Sequence, residues 1–434
     1  MHKKMNSKIR KILSKDLKIK IIIFAVIILF GRNIFAQNDF SPGSPYTAFG
    51  IGDLQYSVNI RNTSMGILGI GLFGYSANDI NPAGNTKMNY TNISLGFKYT
   101  FLNSSSSINS SKSSNGNVSG VNIGIPLNQN LGWSMNLGFI PISSVNYKIS
   151  NLVTTPEGTT YTQTYAGGGG LSRINFGMSY TLFKSLNLGA EYNYSFGNMK
   201  KLTVLDFGDP TQFTNSYERS ENNLSGSYFK GGIILELGKL LKSRSINDLN
   251  LGFFYQSKLS LFSDIDAIYQ TSLGNDTAKI SGGTLVVPAS YGFGFSNKFG
   301  KQLLVSGDIL MQDWSNYVSL GQTQANFGNS YRMGLGFEIM PPEKPDNTFW
   351  ESLSYRFGGF YQKSYFTVNG TDIIGYGITA GLGVPLNKYN SLDLGISYSI
   401  RGKTDNGLIR DQFIKLSAGL NFGELWFIKS RNED

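Results

Sequence analysis

The chain has 434 residues, with 38 Lys plus Arg, 28 Asp plus Glu, one histidine and no cysteine. Nine of the basic residues and one acid fall within residues 1–36, so the remainder holds 29 basic against 27 acidic residues and offers no basis for a nucleic-acid partner. His2 also lies in that stretch, so residues 37–434 lack both His and Cys, which excludes Ser-His-Asp triads, thiolate nucleophiles and His- or Cys-ligated metals. The chain is therefore not expected to be an enzyme, and no metal or cofactor is expected.

Residues 1–36 have the three parts of a secretory signal. A positive stretch runs to Lys20, an apolar core spans Ile21 to Phe30, and Ala36 is the expected last residue removed. Ten apolar residues are too few to cross a bilayer, which needs about 20. The length of the basic stretch leaves Met5 as an alternative start.

Residues 37–88 form the second expected unit. They are Gly-rich and poor in charge, as in Ser44-Pro45-Tyr46-Thr47-Ala48-Phe49-Gly50 and Met65-Gly66-Ile67-Leu68-Gly69-Ile70-Gly71. Glycine permits tight turns and close packing. The apolar residues Ile67, Leu68, Ile70, Leu72 and Phe73 argue for burial. Asn81-Pro82-Ala83-Gly84 closes the segment and is expected to fix the turn into the first strand.

From residue 89 onward the pattern has period two. In 186–197, Leu186, Leu188, Ala190, Tyr192, Tyr194 and Phe196 oppose Asn187, Gly189, Glu191, Asn193, Ser195 and Gly197. The same alternation runs through 131–139, 392–401 and 410–423. Fourteen strands are expected, at 90–102, 118–127, 131–148, 171–183, 186–205, 223–237, 248–268, 283–298, 301–313, 327–341, 349–363, 370–387, 389–402 and 410–428. They are long, their apolar face is aromatic, and their other face is Gly, Ser and Asn with scattered charge. That pattern predicts an all-β fold: a fourteen-stranded antiparallel transmembrane β-barrel, apolar outside and polar within, spanning 89–428. Residues 429–434 form a polar tail.

Short links alternate with longer polar loops at 103–117, 149–170, 206–222, 269–282, 314–326, 364–369 and 403–409. The short side is expected to be periplasmic, with both chain termini there and the barrel in the outer membrane. Gly167 to Gly170 are read as part of a loop. A bore of fourteen strands is wide enough to need a plug, and 37–88 is the available segment.

The segment ending in Asn81-Pro82-Ala83-Gly84 resembles the hatch of FadL-type outer-membrane transporters. Val287-Pro288-Ala289-Ser290-Tyr291-Gly292-Phe293-Gly294, followed by Gly307-Asp308 and Asp313-Trp314-Ser315-Asn316-Tyr317, is similar to that family's middle strands. Tyr355-Arg356-Phe357-Gly358-Gly359-Phe360-Tyr361 and Gly377-Ile378-Thr379-Ala380-Gly381-Leu382-Gly383 extend the similarity. The resemblance implies a hatch-plugged barrel for passive uptake of small hydrophobic molecules of fatty acid or aromatic hydrocarbon type, with a sideways exit into outer-membrane lipid. A PorV-like branch implies the alternative, a non-transporting subunit with partners in type IX protein secretion or surface assembly.

Pro141 sits inside the third expected strand and removes a ladder donor. Either it marks a lateral opening, as the resemblance implies, or it lies above the membrane where pairing relaxes. Continuous bonding of strands three and four past Pro141 counts against the opening. Trp133, Trp314, Trp350 and Trp426 are expected interfacial anchors. Asp308 and Asp313 are expected to be lumen-facing or rim polar residues.

Overall fold

A computed structural model describes residues 40, 42–74, 76–208, 214–241, 248–271, 274–344 and 346–425. The expected signal peptide (1–36), Trp426 and the polar tail (429–434) lie outside them.

Fourteen strands follow one another as antiparallel neighbours. They are β1 (Thr91–Ser105), β2 (Ser110–Asn128), β3 (Trp133–Pro141 and Ser143–Thr154), β4 (Thr160–Leu182), β5 (Leu186–Asp206) and β6 (Ser216–Glu236). Next come β7 (Asn250–Gln256 and Leu259–Thr271), β8 (Gly274–Val287 and Ser290–Phe299), β9 (Leu303–Asp313) and β10 (Asn329–Ile339). The circuit ends with β11 (Ser354–Val368), β12 (Thr371–Pro385), β13 (Ser391–Arg401) and β14 (Arg410–Glu424). β14 pairs with β1 from Glu424 opposite Thr91 to Arg410 opposite Ser105, which closes the barrel.

Alternation sets the two faces of the wall. On β5, Asn187, Glu191, Asn193 and Ser195 are buried while Tyr192 and Tyr194 are exposed. On β3, Ser134 and Asn136 are buried while Trp133, Leu137 and Phe139 are exposed. An apolar outer face around a polar interior suits a wall standing in lipid.

Several expected loops are in fact strand. The β1–β2, β3–β4, β5–β6 and β7–β8 hairpins carry their ladders well into 103–117, 149–170, 206–222 and 269–282. There the side chains are mostly polar on both faces, with scattered exposed apolar residues such as Ile108 and Leu152. The period-two signal fades although the backbone pairing continues, because hydrogen bonding does not require an apolar face. Gly167 to Gly170 are likewise within β4, not in a loop, and Gly169 and Gly170 have φ of +104° and +141°.

Residues 43–74 and 76–88 occupy the bore. The short helix Ile60–Ser64 packs on β11 to β14, and the 3-10 turn Pro82–Lys87 packs on β3 to β6, on the far side of the ring. Met65, Ile67, Leu68, Ile70 and Leu72 are buried. Glycines on the inner face of the wall make room for this backbone. A Cβ at Gly358 would overlap the Met65 carbonyl, and one at Gly252 would overlap the Ile70 carbonyl.

Candidate functional site

Inward-pointing charges fasten the segment to the wall. Arg61 donates to Glu338 on β10 through Nε (2.9 Å) and Nη2 (2.6 Å). The other Glu338 oxygen accepts from Arg356 Nε at 2.8 Å, and Arg356 Nη1 reaches Asp393 at 2.5 Å. Asp308 on β9 accepts from the backbone N–H groups of Leu68 (2.8 Å) and Gly69 (2.7 Å). Arg173 on β4 and Lys230 on β6 both donate to the Asp79 carbonyl, at 2.7 and 3.0 Å, with Glu191 buried beside them. Arg401 on β13 binds Asp53 and the Ser44 hydroxyl, each at 2.6 Å.

Asn81 sits where the segment meets β6 and β7. Its fully buried amide donates to the Ile70 carbonyl (2.8 Å) and its oxygen accepts from Ala83 N–H (3.1 Å), capping the turn that Pro82 begins. Ala83 is fully buried, and Gly84 is packed so closely that a Cβ would meet the Leu72 carbonyl at 2.8 Å.

The wall has an interruption beside Pro141, on a different edge from the one the sequence suggests. β3 and β4 stay bonded past it: Pro141 opposes Ser172, Ile142 N–H donates to the Leu171 carbonyl (2.8 Å), and pairing resumes at Val145 with Gly169. Between β2 and β3, however, the ladder stops at Val121 and Phe139. From Gly120 outward, the described ladder partners of β2 are on β1 alone. The outer segment of β3 instead pairs with the N-terminal segment. Asp53 and Leu54 lie opposite Ser144 and Ser143, Gln55 N–H donates to the Ile142 carbonyl (2.9 Å), and Thr47 Oγ1 bonds both backbone groups of Asn146. Pro141 offers no N–H where the β2 ladder ends, and the positive φ of Gly169 and Gly170 lets β4 follow the bend.

Two cavities meet at this place. One, of about 640 Å³, lies between the separated edges, lined by Asn117, Val118 and Ser119 of β2 and by Pro141, Ser143 and Ser144 of β3. The other, of about 170 Å³, lies above the segment and reaches Arg332, Phe360, Thr379 and Arg401. Gln55, Ser57, Lys98 and Lys415 line both.

The tryptophans divide. Trp133 and Trp350 are exposed on the rim of the short turns. Trp314 is not an interfacial anchor. It is fully buried, with its ring stacked on Tyr365 at 4.0 Å and packed against Tyr317 and Phe327. It lies in a 3-10 turn that folds under the hairpin, so its distance from a strand end in sequence does not give its depth. Asp313 caps that turn by accepting from Ser315 N–H.

Lys98, Arg332, Glu338, Asp393 and Lys415 are not picked out by any motif, Arg356 is quoted only as part of one, and Arg61, on the short helix Ile60–Ser64, has no signal in the sequence. On the strands the signal is parity. Glu338 stands between Phe337 and Ile339, and Arg356 between Tyr355 and Phe357, so each must point inward when its neighbours face lipid.

The closed fourteen-stranded antiparallel barrel is FadL-like in fold. It is shared with the CymD monoaromatic hydrocarbon channel (TM-score 0.57, 15% identity, covering 86% of this chain and 99% of that one). The Pseudomonas putida toluene transporter TodX (0.56, 16%, 87% and 100%) and a Pseudomonas aeruginosa FadL homologue (0.56, 12%, 84% and 98%) have the same fold. No curated protein matches the chain at the level of sequence. The chain belongs to the BamG family, whose model matches residues 18–433.

Proposed function

We propose that the protein is an outer-membrane barrel for passive passage of small hydrophobic or amphiphilic molecules. Residues 43–88 act as a fixed hatch, and the break between β2 and β3 is the lateral exit. The carrying observation is that the larger cavity lies between the two unjoined edges, with Pro141, Ser143 and Ser144 on one and Val118 and Ser119 on the other. The buried ion pairs of Arg61 and Arg401 favour a hatch that stays in place, which directs traffic sideways. The exposed aromatic outer face supports lipid as the surroundings, and both termini are assigned to the periplasm with the short turns. The relatives that share the fold are channels for toluene and other monoaromatic hydrocarbons by name, which supports a hydrophobic cargo.

The test is uptake of a labelled apolar probe into cells with and without the protein, compared with a Ser119→Trp variant that fills the cavity at the break. Uptake that depends on the protein and is lost in the variant is the expected result. Equal uptake with and without the protein refutes the proposal.

The alternative, a PorV-like subunit of a secretion or surface-assembly complex, has one observation in its favour. The long hairpins carry exposed apolar residues, Ile108 near the β1–β2 tip and Leu152 near the β3–β4 tip. A stoichiometric protein partner in native mass spectrometry of gently purified protein would favour it.

A further inference from the structure

The two ends of the wall lie together: Thr91, which opens β1, is opposite Glu424, which closes β14, on the rim of the short turns. The chain before Thr91 does not stay at that rim. Thr86 Oγ1 still bonds Asn187, near the start of β5, at 2.8 Å. Leu68 and Gly69 meet Asp308, midway along β9, and Gln55 to Asp53 run along the outer part of β3. Before Asp53 the partners are the strand ends that the long hairpins join. Tyr365, near the outer end of β11, donates to the carbonyls of Phe49 and Gly52, each at 2.7 Å. The Tyr46 hydroxyl donates to the carbonyl of Ile409, in the β13–β14 hairpin, at 2.7 Å and accepts from its N–H at 3.1 Å. The Ser44 hydroxyl donates to Asp411 and accepts from Arg401 at 2.6 Å, at the outer ends of β14 and β13. Pro42 and Ala48 are exposed there.

We infer that the N-terminal end of the exported chain stands at the cell surface, so that the hatch enters the bore from outside and leaves it at the periplasmic rim. This rests on the outward orientation of the long hairpins given above and goes beyond the passage reading. The dimensions allow no return. β14 carries fifteen residues between the rims, about 50 Å of strand and about 35–40 Å of height at the usual barrel tilt. Removal of the signal after Ala36 leaves six residues before Gly43; these reach at most about 20 Å, and the bore beneath them is filled by the segment itself. Strand parity fixes only the ends of the wall, so the periplasmic assignment holds for the end of β14 and is replaced for the N-terminus. The bonds of Ser44, Tyr46 and Thr47 to β3, β14 and the β13–β14 hairpin then tie the hatch to the surface. An external macromolecule meets it at Pro42 and Ala48 without entering the bore.

The chain has no cysteine, so single cysteines report sidedness against a silent background. The full protein is expressed as Pro42→Cys, Glu157→Cys at the β3–β4 tip and Lys388→Cys in the short β12–β13 link. All three side chains are exposed and outside the ladders. Intact cells are treated with a maleimide on a polyethylene glycol chain too large to pass the outer membrane, and the shift on a gel is read before and after permeabilisation. Pro42→Cys is expected to shift in intact cells as fully as Glu157→Cys, and Lys388→Cys only after permeabilisation. A Pro42→Cys protein that stays unlabelled until permeabilisation, like Lys388→Cys, overturns the inference. So does one that stays unlabelled until it is denatured. Labelling of Lys388→Cys in intact cells with Glu157→Cys protected reverses the barrel and overturns the outward display as well. No cargo enters the measurement, so its failure is distinct from failure of the passage reading.

Discussion

Glu338 joins the N-terminal segment to the wall, so its loss tests whether the bore is closed by a fixed element. Its carboxylate accepts three bonds, two from Arg61 and one from Arg356. Glu338→Gln keeps one acceptor oxygen but places an NH2 group against a guanidinium. Arg356 still holds Asp393 at 2.5 Å, whereas Arg61 loses both of its bonds to this carboxylate and keeps contacts such as the Phe73 carbonyl at 3.4 Å. The cost therefore falls on Arg61 and the segment, at about 3–5 kcal/mol for one partner lost from a buried pair. Arg61→Gln leaves Glu338 paired with Arg356, so its cost is smaller, about 2 kcal/mol. The double variant should cost less than the sum of the two, since one interaction is removed twice. The wall ladders are untouched, so the loss appears as local opening. Amide hydrogen exchange of residues 60–73 in detergent is the assay, and Glu338→Gln should speed it by about two to three orders of magnitude. Exchange at the wild-type rate, or strictly additive effects, would refute the reasoning.

The remaining predictions use thermal unfolding or uptake. Asn81→Ala removes the cap on Ala83 and the bond to the Ile70 carbonyl, and should lower stability by about 2 kcal/mol. Gly358→Ala places a Cβ on the Met65 carbonyl and should cost about 1–3 kcal/mol, where the same change at exposed Gly321, which has nothing near it, tests only backbone strain. Trp314→Ala should cost about 3–5 kcal/mol because the ring is fully buried, and Trp350→Ala about 0.5 kcal/mol or less because its ring is exposed. Pro141→Ala should leave uptake within about twofold, about 0.4 kcal/mol, because Asp53 to Gln55 already occupy the edge of β3. A large fall in uptake would mean that the proline itself shapes the exit.

The amino-acid sequence by itself determines the barrel. Alternation at period two, with aromatics on one parity and Gly, Ser and Asn on the other, defines strand, facing and count, because every residue of a membrane wall sees either lipid or bore. The order of strands follows from the chain, since each hairpin pairs with the next. The Gly-rich, apolar character of residues 43–88 announces a buried segment, and Asn81-Pro82 announces its last turn. What sequence could not give is depth and partnership around the ring. Trp314 reads like Trp133 in sequence, yet one is packed beneath a folded hairpin and the other faces out at the rim. Pro141 marks the right strand, but which edge opens depends on Asp53 to Gln55, nearly ninety positions earlier, pairing with β3. Arg61 with Glu338, and Lys98 with Arg332, are brought together only by closing the barrel over its own N-terminal segment. Hydrogen-bond and charge partners across a bore are set by curvature and register, and these leave no local trace in the chain.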